Sequence, residues 1–155
     1  MPNLLSKNSR PCLDRIMGIT LIELMIIISI IAIILTLGFP IYSNYTIRAK
    51  VGKALSVGAA AKTATTEACQ SEPDIETLTT DRADYLFKAS YYVEMLDISG
   101  SCTRPVITIT TRNTGATTSP VLILNGEPGP TGNQFSWTCT TMNGQDRIVP
   151  KSCRN

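Results

Sequence analysis

The chain has 155 residues, with 14 basic and 12 acidic side chains and no histidine; that length accommodates one small domain plus an extra segment. The missing histidine excludes Ser-His-Asp and Cys-His catalysis, imidazole-ligated zinc and imidazole pH switching. At 43% hydrophobic, 17% charged and a net charge of +2, the composition is too apolar for a disordered tail, and its bulk charge does not point to a nucleic-acid or lipid surface.

In chain order, residues 1–18 are polar and carry Lys7, Arg10, Cys12, Asp14 and Arg15. From Ile19 to Phe39 the one charge is Glu23, and Ile26–Ile34 holds seven isoleucines in nine positions. About 20 apolar residues cross a bilayer as a helix, so this run is long enough to span. It is longer than a secretory signal core and runs into Gly38-Phe39-Pro40 and then Tyr42 and Tyr45, an interfacial aromatic pattern. Basic residues flank it on both sides (Lys7, Arg10 and Arg15; Arg48, Lys50 and Lys53), so side-chain charge leaves its orientation undecided. Residues 41–68 continue as helix, with Val51, Leu55 and Ala59–Ala61 on one face. A single helix over Ile19–Ala68 is about 75 Å long. That is more than so small a domain can cover, so much of it must find partners in other chains.

Residues 69–98 turn acidic, with seven acids against two bases, and Pro73 stops the helix. A loop and then a strand over Tyr91–Ile98 are expected. Further strands follow at Pro105–Thr111, Val121–Leu124 and Phe135–Cys139, separated by an Asn113-Thr114-Gly115 turn and a Gly/Pro-rich loop over 126–132. Val106, Ile107, Ile109, Val121, Ile123 and Trp137 are the expected buried face, and 140–155 a polar loop. The expected fold class is α+β, a roughly four-stranded antiparallel meander laid against the long helix.

Four of the five cysteines follow the apolar run, an even set that reads as two disulfides in an oxidising compartment. This places the C-terminal side outside the membrane and Cys12, reduced, on the other side. The absence of a CxxC pair argues against zinc or iron–sulfur ligation. Of three connectivities, the expected one pairs the nearest cysteines, Cys69–Cys102 and Cys139–Cys153.

The residues Gly18-Ile19-Thr20-Leu21-Ile22-Glu23-Leu24-Met25 resemble the prepilin cleavage motif of type IV pilins and pseudopilins, with Ile19 in place of the usual Phe. Pro40 and the Tyr42…Tyr45 pair sit where type IVa pilins carry a helix-disrupting proline and two tyrosines. The ending Trp137-Thr138-Cys139 … Val149-Pro150-Lys151-Ser152-Cys153 looks like the closing disulfide loop of major pilins. The resemblance implies the type IV pilin fold. It implies a leader over 1–18, a transmembrane and polymerisation helix over 19–40 and its amphipathic continuation over 41–68. The head follows over 69–155, divided into an αβ-loop (69–90), a sheet (91–139) and a disulfide loop (139–153).

A membrane prepilin peptidase would cleave between Gly18 and Ile19 and methylate the new Ile19 amine. Glu23, a carboxylate that costs several kcal/mol in hydrocarbon unless paired, would meet that ammonium on its own or a neighbouring subunit and set register during assembly. Pro40 would bend the helix at the membrane surface or, with local melting around 32–40, let subunits pack in a fibre.

The activity so implied is structural. The chain would be an inner-membrane precursor, then a homopolymeric extracellular pilus serving adhesion to host or abiotic surfaces, twitching motility and DNA uptake. Its partners would be further copies of itself, the peptidase and methyltransferase, an assembly platform and motor ATPases, with no cofactor, metal or catalytic residue. Two other readings stay open, a DNA-binding minor or competence pilin and a type II secretion pseudopilin. Against the latter, an acidic calcium-binding terminus is missing, since only Glu127 and Asp146 follow residue 100. Residues 69–100 carry seven acids and two bases, and 101–155 five bases and two acids. These are complementary patches that could fix subunit register. The five bases Arg104, Arg112, Arg147, Lys151 and Arg154 are also the candidate DNA track.

Overall fold

The structure, a computed structural model, describes residues 18–129 and 134–154. They form one helix, α1 (Leu21–Ser71), four strands, β1 (Val93–Ser101), β2 (Arg104–Thr111), β3 (Val121–Pro128) and β4 (Phe135–Asn143), and two 3-10 turns at Asp146–Ile148 and Lys151–Cys153. The chain divides into two units, one ending at Gly38 and the other beginning at Phe39. In the first unit the apolar side chains of α1 are exposed, Ile22 to 68%, Ile33 to 63% and Leu37 to 68%. An exposed apolar surface of this size is the kind that marks a contact surface, and the helix is long and apolar enough to cross a membrane.

In the second unit α1 buries Ile47, Val51, Ala54, Gly58, Ala61, Thr65 and Cys69, a stripe advancing by three or four residues. The small residues set how closely helix and sheet approach. A Cβ at Gly58 would lie 2.6 Å from Ile109 Cδ1 and 3.1 Å from Leu124 Cδ1. The expected helical face is corrected here, because Ala59 and Ala60 are exposed and Leu55 is half-buried. The seam runs through Ala54, Gly58 and Ala61, so it follows contact distance to the sheet rather than the apolar run.

The sheet has the order β1-β2-β3-β4 and is antiparallel throughout. Its register lines up Ile98, Ile107, Leu124 and Cys139 in one row, and Leu96, Ile109, Leu122 and Thr141 in the next. Ile98, Ile107, Ile109, Leu122 and Leu124 are all at most 1% exposed. Of the six residues expected in the core, Ile107 and Ile109 are buried and Trp137 packs partly buried against the core. Val106, Val121 and Ile123 alternate onto the other face and are half-buried, leaving Leu122 and Leu124 inside. In β3 the β-branched residues take the outer positions and the leucines the core, so β propensity alone pointed to the wrong parity.

The helix stops at Ser71, two residues before Pro73. The following loop packs Ile75, Leu78 and Ala83 inward. It also covers the outer edge of β1. Leu78 N–H donates to Gly100 O at 2.8 Å, Cys102 N–H to Ile75 O at 3.1 Å and Ile98 N–H to the Thr80 hydroxyl at 3.1 Å. β1 begins at Val93 rather than at Tyr91, and Tyr91 and Tyr92 just before it pack edge to face with ring centroids 5.0 Å apart. The β2–β3 connection spans 112–120, between the strand ends expected at Thr111 and Val121. Arg112 anchors it by donating from Nε and Nη2 to Ser90 O at 3.0 and 2.8 Å, and Thr111 Oγ1 donates to Pro120 O at 2.6 Å. β3 and β4 pair as far as Pro128 and Phe135, beyond where the Gly/Pro-rich run was expected to open, and Gly129 N–H donates to Gln134 O at 2.7 Å. The expected C-terminal loop is likewise shortened by β4 reaching Asn143, and its Ile148 and Val149 join the core.

Candidate assembly site

The residues of the apolar segment organise around the start of α1. Gly18, Ile19 and Thr20 are non-helical, and the helix begins at Leu21. Thr20 caps it. Its side-chain Oγ1 accepts from Glu23 N–H at 3.3 Å and its carbonyl from Leu24 N–H at 3.2 Å. The Thr-x-x-Glu spacing is that of a capping box, a signal in the sequence that the reading above passed over. Glu23 thus lies in the first turn, where a negative charge is favoured by the helix dipole. Gly18 has open space around it, with nothing within 4 Å of where a Cβ would be. Nothing in the chain itself demands glycine there.

Farther along, the polar groups inside the apolar run satisfy themselves. Ser29 Oγ donates to Met25 O and Thr36 Oγ1 to Ile33 O, both at 2.8 Å, so neither hydroxyl needs water. α1 is continuous through Pro40, which has no N–H to give to the helix ladder. Phe39, Ile41, Tyr42 and Tyr45 are all exposed.

Within the second unit two disulfides fasten the ends of elements. Cys69–Cys102 ties the last turns of α1 to the β1–β2 connection, with Cα atoms 5.4 Å apart, and Cys139–Cys153 ties β4 to the second 3-10 turn, with Cα atoms 4.4 Å apart. Tyr85 is half-buried; its hydroxyl donates to Val57 O at 3.5 Å, and burial raises its pKa above the ordinary 10.0. Thr65 is fully buried on the helix seam, and its hydroxyl has no hydrogen-bond partner.

Two of the five bases of the candidate DNA track are engaged with backbone carbonyls. Arg112 is committed to Ser90 O, and Arg154 Nε donates to Val149 O at 3.3 Å. Arg48 Nη2 donates to the Arg147 carbonyl, an anchor from α1 to the first 3-10 turn that the sequence reading missed. Two lysines of α1 sit over rings instead, Lys53 over Tyr92 at 5.8 Å and Lys62 over Trp137 at 5.7 Å. Among the described residues no ion pair forms, and no three His, Cys, Asp or Glu side chains converge on a metal site.

Comparison with known proteins gives this arrangement its family. The pilin model, a family of bacterial filament proteins, matches residues 47–154. The chain is 33% identical over 144 residues to the fimbrial protein EcpC of Eikenella corrodens, covering 89% of this chain and 90% of that protein. A shorter similarity, 46% over 50 residues, links it to the type IV major pilin protein PilE1 of Neisseria gonorrhoeae, covering 32% of this chain and 30% of the relative. Another, 49% over 47 residues, links it to a fimbrial protein of Pseudomonas aeruginosa, covering 30% of each. A long helix seated on a four-stranded antiparallel meander, two disulfides and this sequence match lead to one assignment: the chain belongs to the pilin family.

Proposed function

We propose that this chain is the structural subunit of a type IV pilus, polymerising through the apolar half of α1. One observation carries the reading. In a chain of the pilin family, a single helix packs its later turns on a sheet and leaves its earlier turns apolar and exposed. Each leucine or isoleucine withdrawn from water is worth about 1.5–3 kcal/mol, so this segment belongs in lipid before assembly and among helices afterwards.

In this proposal residues 1–18 are a leader that the prepilin peptidase removes, and the new Ile19 amine is methylated but stays charged. That ammonium adds positive charge to the already positive end of the helix dipole, and Glu23 in the first turn is the carboxylate that offsets it, in its own or a neighbouring subunit. Pro40, by sparing the Thr36 carbonyl a helical partner, is where the helix opens when subunits pack. The precursor sits in the inner membrane and reaches the surface through an assembly platform driven by motor ATPases. The disulfide loop over 139–153 and the acidic 69–100 face supply contacts to surfaces and to neighbouring subunits. The chain is a substrate of the peptidase rather than a catalyst. A DNA-binding minor pilin is less favoured, because Arg112 and Arg154 are engaged with backbone carbonyls.

Deleting the gene and imaging the cells tests the proposal, with mass spectrometry of sheared material. Loss of filaments, and filaments in the parent strain composed mainly of this chain, are expected; filaments persisting unchanged would reject the subunit role. Glu23→Ala should leave a processed, membrane-inserted chain with few or no filaments. Wild-type filament levels in that variant would reject the pairing of Glu23 with the ammonium.

A further inference from the structure

We infer that Thr20 is a positioning residue for processing, because its side chain holds the Gly18–Ile19 bond outside the helix where a peptidase can reach it; this rests on the cleavage reading above. An α-helix grows N-terminally by bonding each amide to the carbonyl four residues back. One more turn on α1 would commit the Ile22 amide to Gly18 O and the Glu23 amide to Ile19 O. The first of these carbonyls belongs to the bond to be cut. In the structure the Glu23 amide instead donates to Thr20 Oγ1 at 3.3 Å, and the first backbone bond of the ladder runs from Leu24 N–H to Thr20 O at 3.2 Å. Gly18 and Ile19 stay non-helical and exposed, with Ile19 at 69%.

The need for a stop signal is acute at this point of the chain. Where the chain enters hydrocarbon, unsatisfied amides favour continuing the helix, since no water competes for them there. Ile19 is apolar enough to follow Leu21 and Ile22 into such a segment. Thr20 removes that incentive by giving one of the free first-turn amides a partner of its own. Hydrolysis then proceeds on an open peptide. A water oxygen adds to the Gly18 carbonyl carbon, the C–N bond breaks, Gly18 is left as a carboxylate, and both protons of that water end on the Ile19 nitrogen, which departs as the ammonium. The acids and bases that move those protons belong to the peptidase. The chain contributes the extended geometry of its scissile bond.

The test is cleavage of the full-length precursor by purified prepilin peptidase in detergent or proteoliposomes, followed by intact mass. Four substrates are compared: wild type, Thr20→Val, Thr20→Ser and Thr20→Asn. Valine keeps the shape of threonine and loses the capping oxygen; serine and asparagine keep an oxygen in different shapes. Losing a cap shifts a helix-end equilibrium by about fivefold, so Thr20→Val should lower kcat/KM by about that factor or more, while Ser and Asn stay within about twofold of wild type. Rescue by two capping residues of unlike shape is what a merely steric requirement would not produce. Cleavage of Thr20→Val at the wild-type rate overturns the inference, as does slowing of Ser and Asn to the same degree as Val. A wild-type precursor left uncut between Gly18 and Ile19 overturns the processing reading itself, and the inference with it.

Discussion

Thr65 tests the packing of α1 on the sheet most sharply. It is fully buried between Ala61 and Cys69 on the helix seam, and its hydroxyl has no hydrogen-bond partner. Its neighbours off the seam behave differently. Thr63 and Thr66 donate back to Ala59 O at 3.3 Å and Lys62 O at 2.8 Å. A buried, unpartnered hydroxyl costs about 1–3 kcal/mol in lost hydration. Thr65→Val replaces it with a methyl of nearly the same size, is β-branched like threonine, and leaves helix propensity almost unchanged. Stability should therefore rise by about 1–2 kcal/mol, or roughly 3–8 °C in the unfolding midpoint. Thr65→Ser keeps the hydroxyl and deletes the methyl, and should lose about 1 kcal/mol through the missing contact and the gap it leaves. Circular-dichroism melts of the full chain in one detergent, with both disulfides intact, compare the three. A valine variant at or below wild-type stability would mean that the hydroxyl finds an acceptor, and would refute the account of the seam given above.

Other predictions follow from single features of the head. Gly126 faces Pro105 Cγ at 2.7 Å and two Trp137 ring atoms at 3.1 Å from a would-be Cβ, and rings cannot bend aside. Gly126→Ala should accordingly cost about 1–3 kcal/mol in denaturant unfolding. The disulfides close sequence separations of 33 and 14. Chain entropy then assigns about 3.8 kcal/mol to Cys69–Cys102 and about 3.0 to Cys139–Cys153, so the double alanine variant of the first pair should have the lower denaturant midpoint. The Tyr85 hydroxyl has its pKa raised above 10.0 by burial, so folding favours its neutral form. That contribution is complete below the unfolded value and is lost as pH climbs through the folded one. Tyr85→Phe should show a flatter fall in stability above about pH 10 than wild type.

Much of this architecture was legible in residue order, for reasons that differ between elements. The helix could be read because a sustained apolar run with one charge has few alternatives, and because Pro73 supplies a stop close to the true end at Ser71. Four strands could be counted from turn residues. Their faces could not, since β3 places Leu122 and Leu124 inside and the β-branched Val121 and Ile123 outside, a choice made by the partner surface of α1 rather than by the strand. Ile148 and Val149 were hidden in a polar context, and they are buried within the segment that the Cys139–Cys153 link closes. At the N-terminus, Gly18, Ile19 and Glu23 stood out as a motif, and the Thr20-x-x-Glu23 capping spacing was legible in the same residues, its hydrogen bond from the Glu23 amide to Thr20 Oγ1 being what the structure adds. Arg48 was read as flanking charge, yet its contact with the Arg147 carbonyl lies far away in sequence.

The bond between Cys69 and Cys102 has a mechanical meaning as well. A pull along α1 relative to the sheet would load the seam in shear, and beyond Ile47 and Val51 that seam is alanine, glycine and threonine up to Cys69, with few large side chains to interlock. Non-covalent contacts of that kind yield one after another when a helix slides. The disulfide sits at the far end of the same helix and joins it to the β1–β2 connection, so sliding cannot go to completion while it is intact. It works as a pin across a sliding joint, passing tension from the helix into the sheet through a covalent bond.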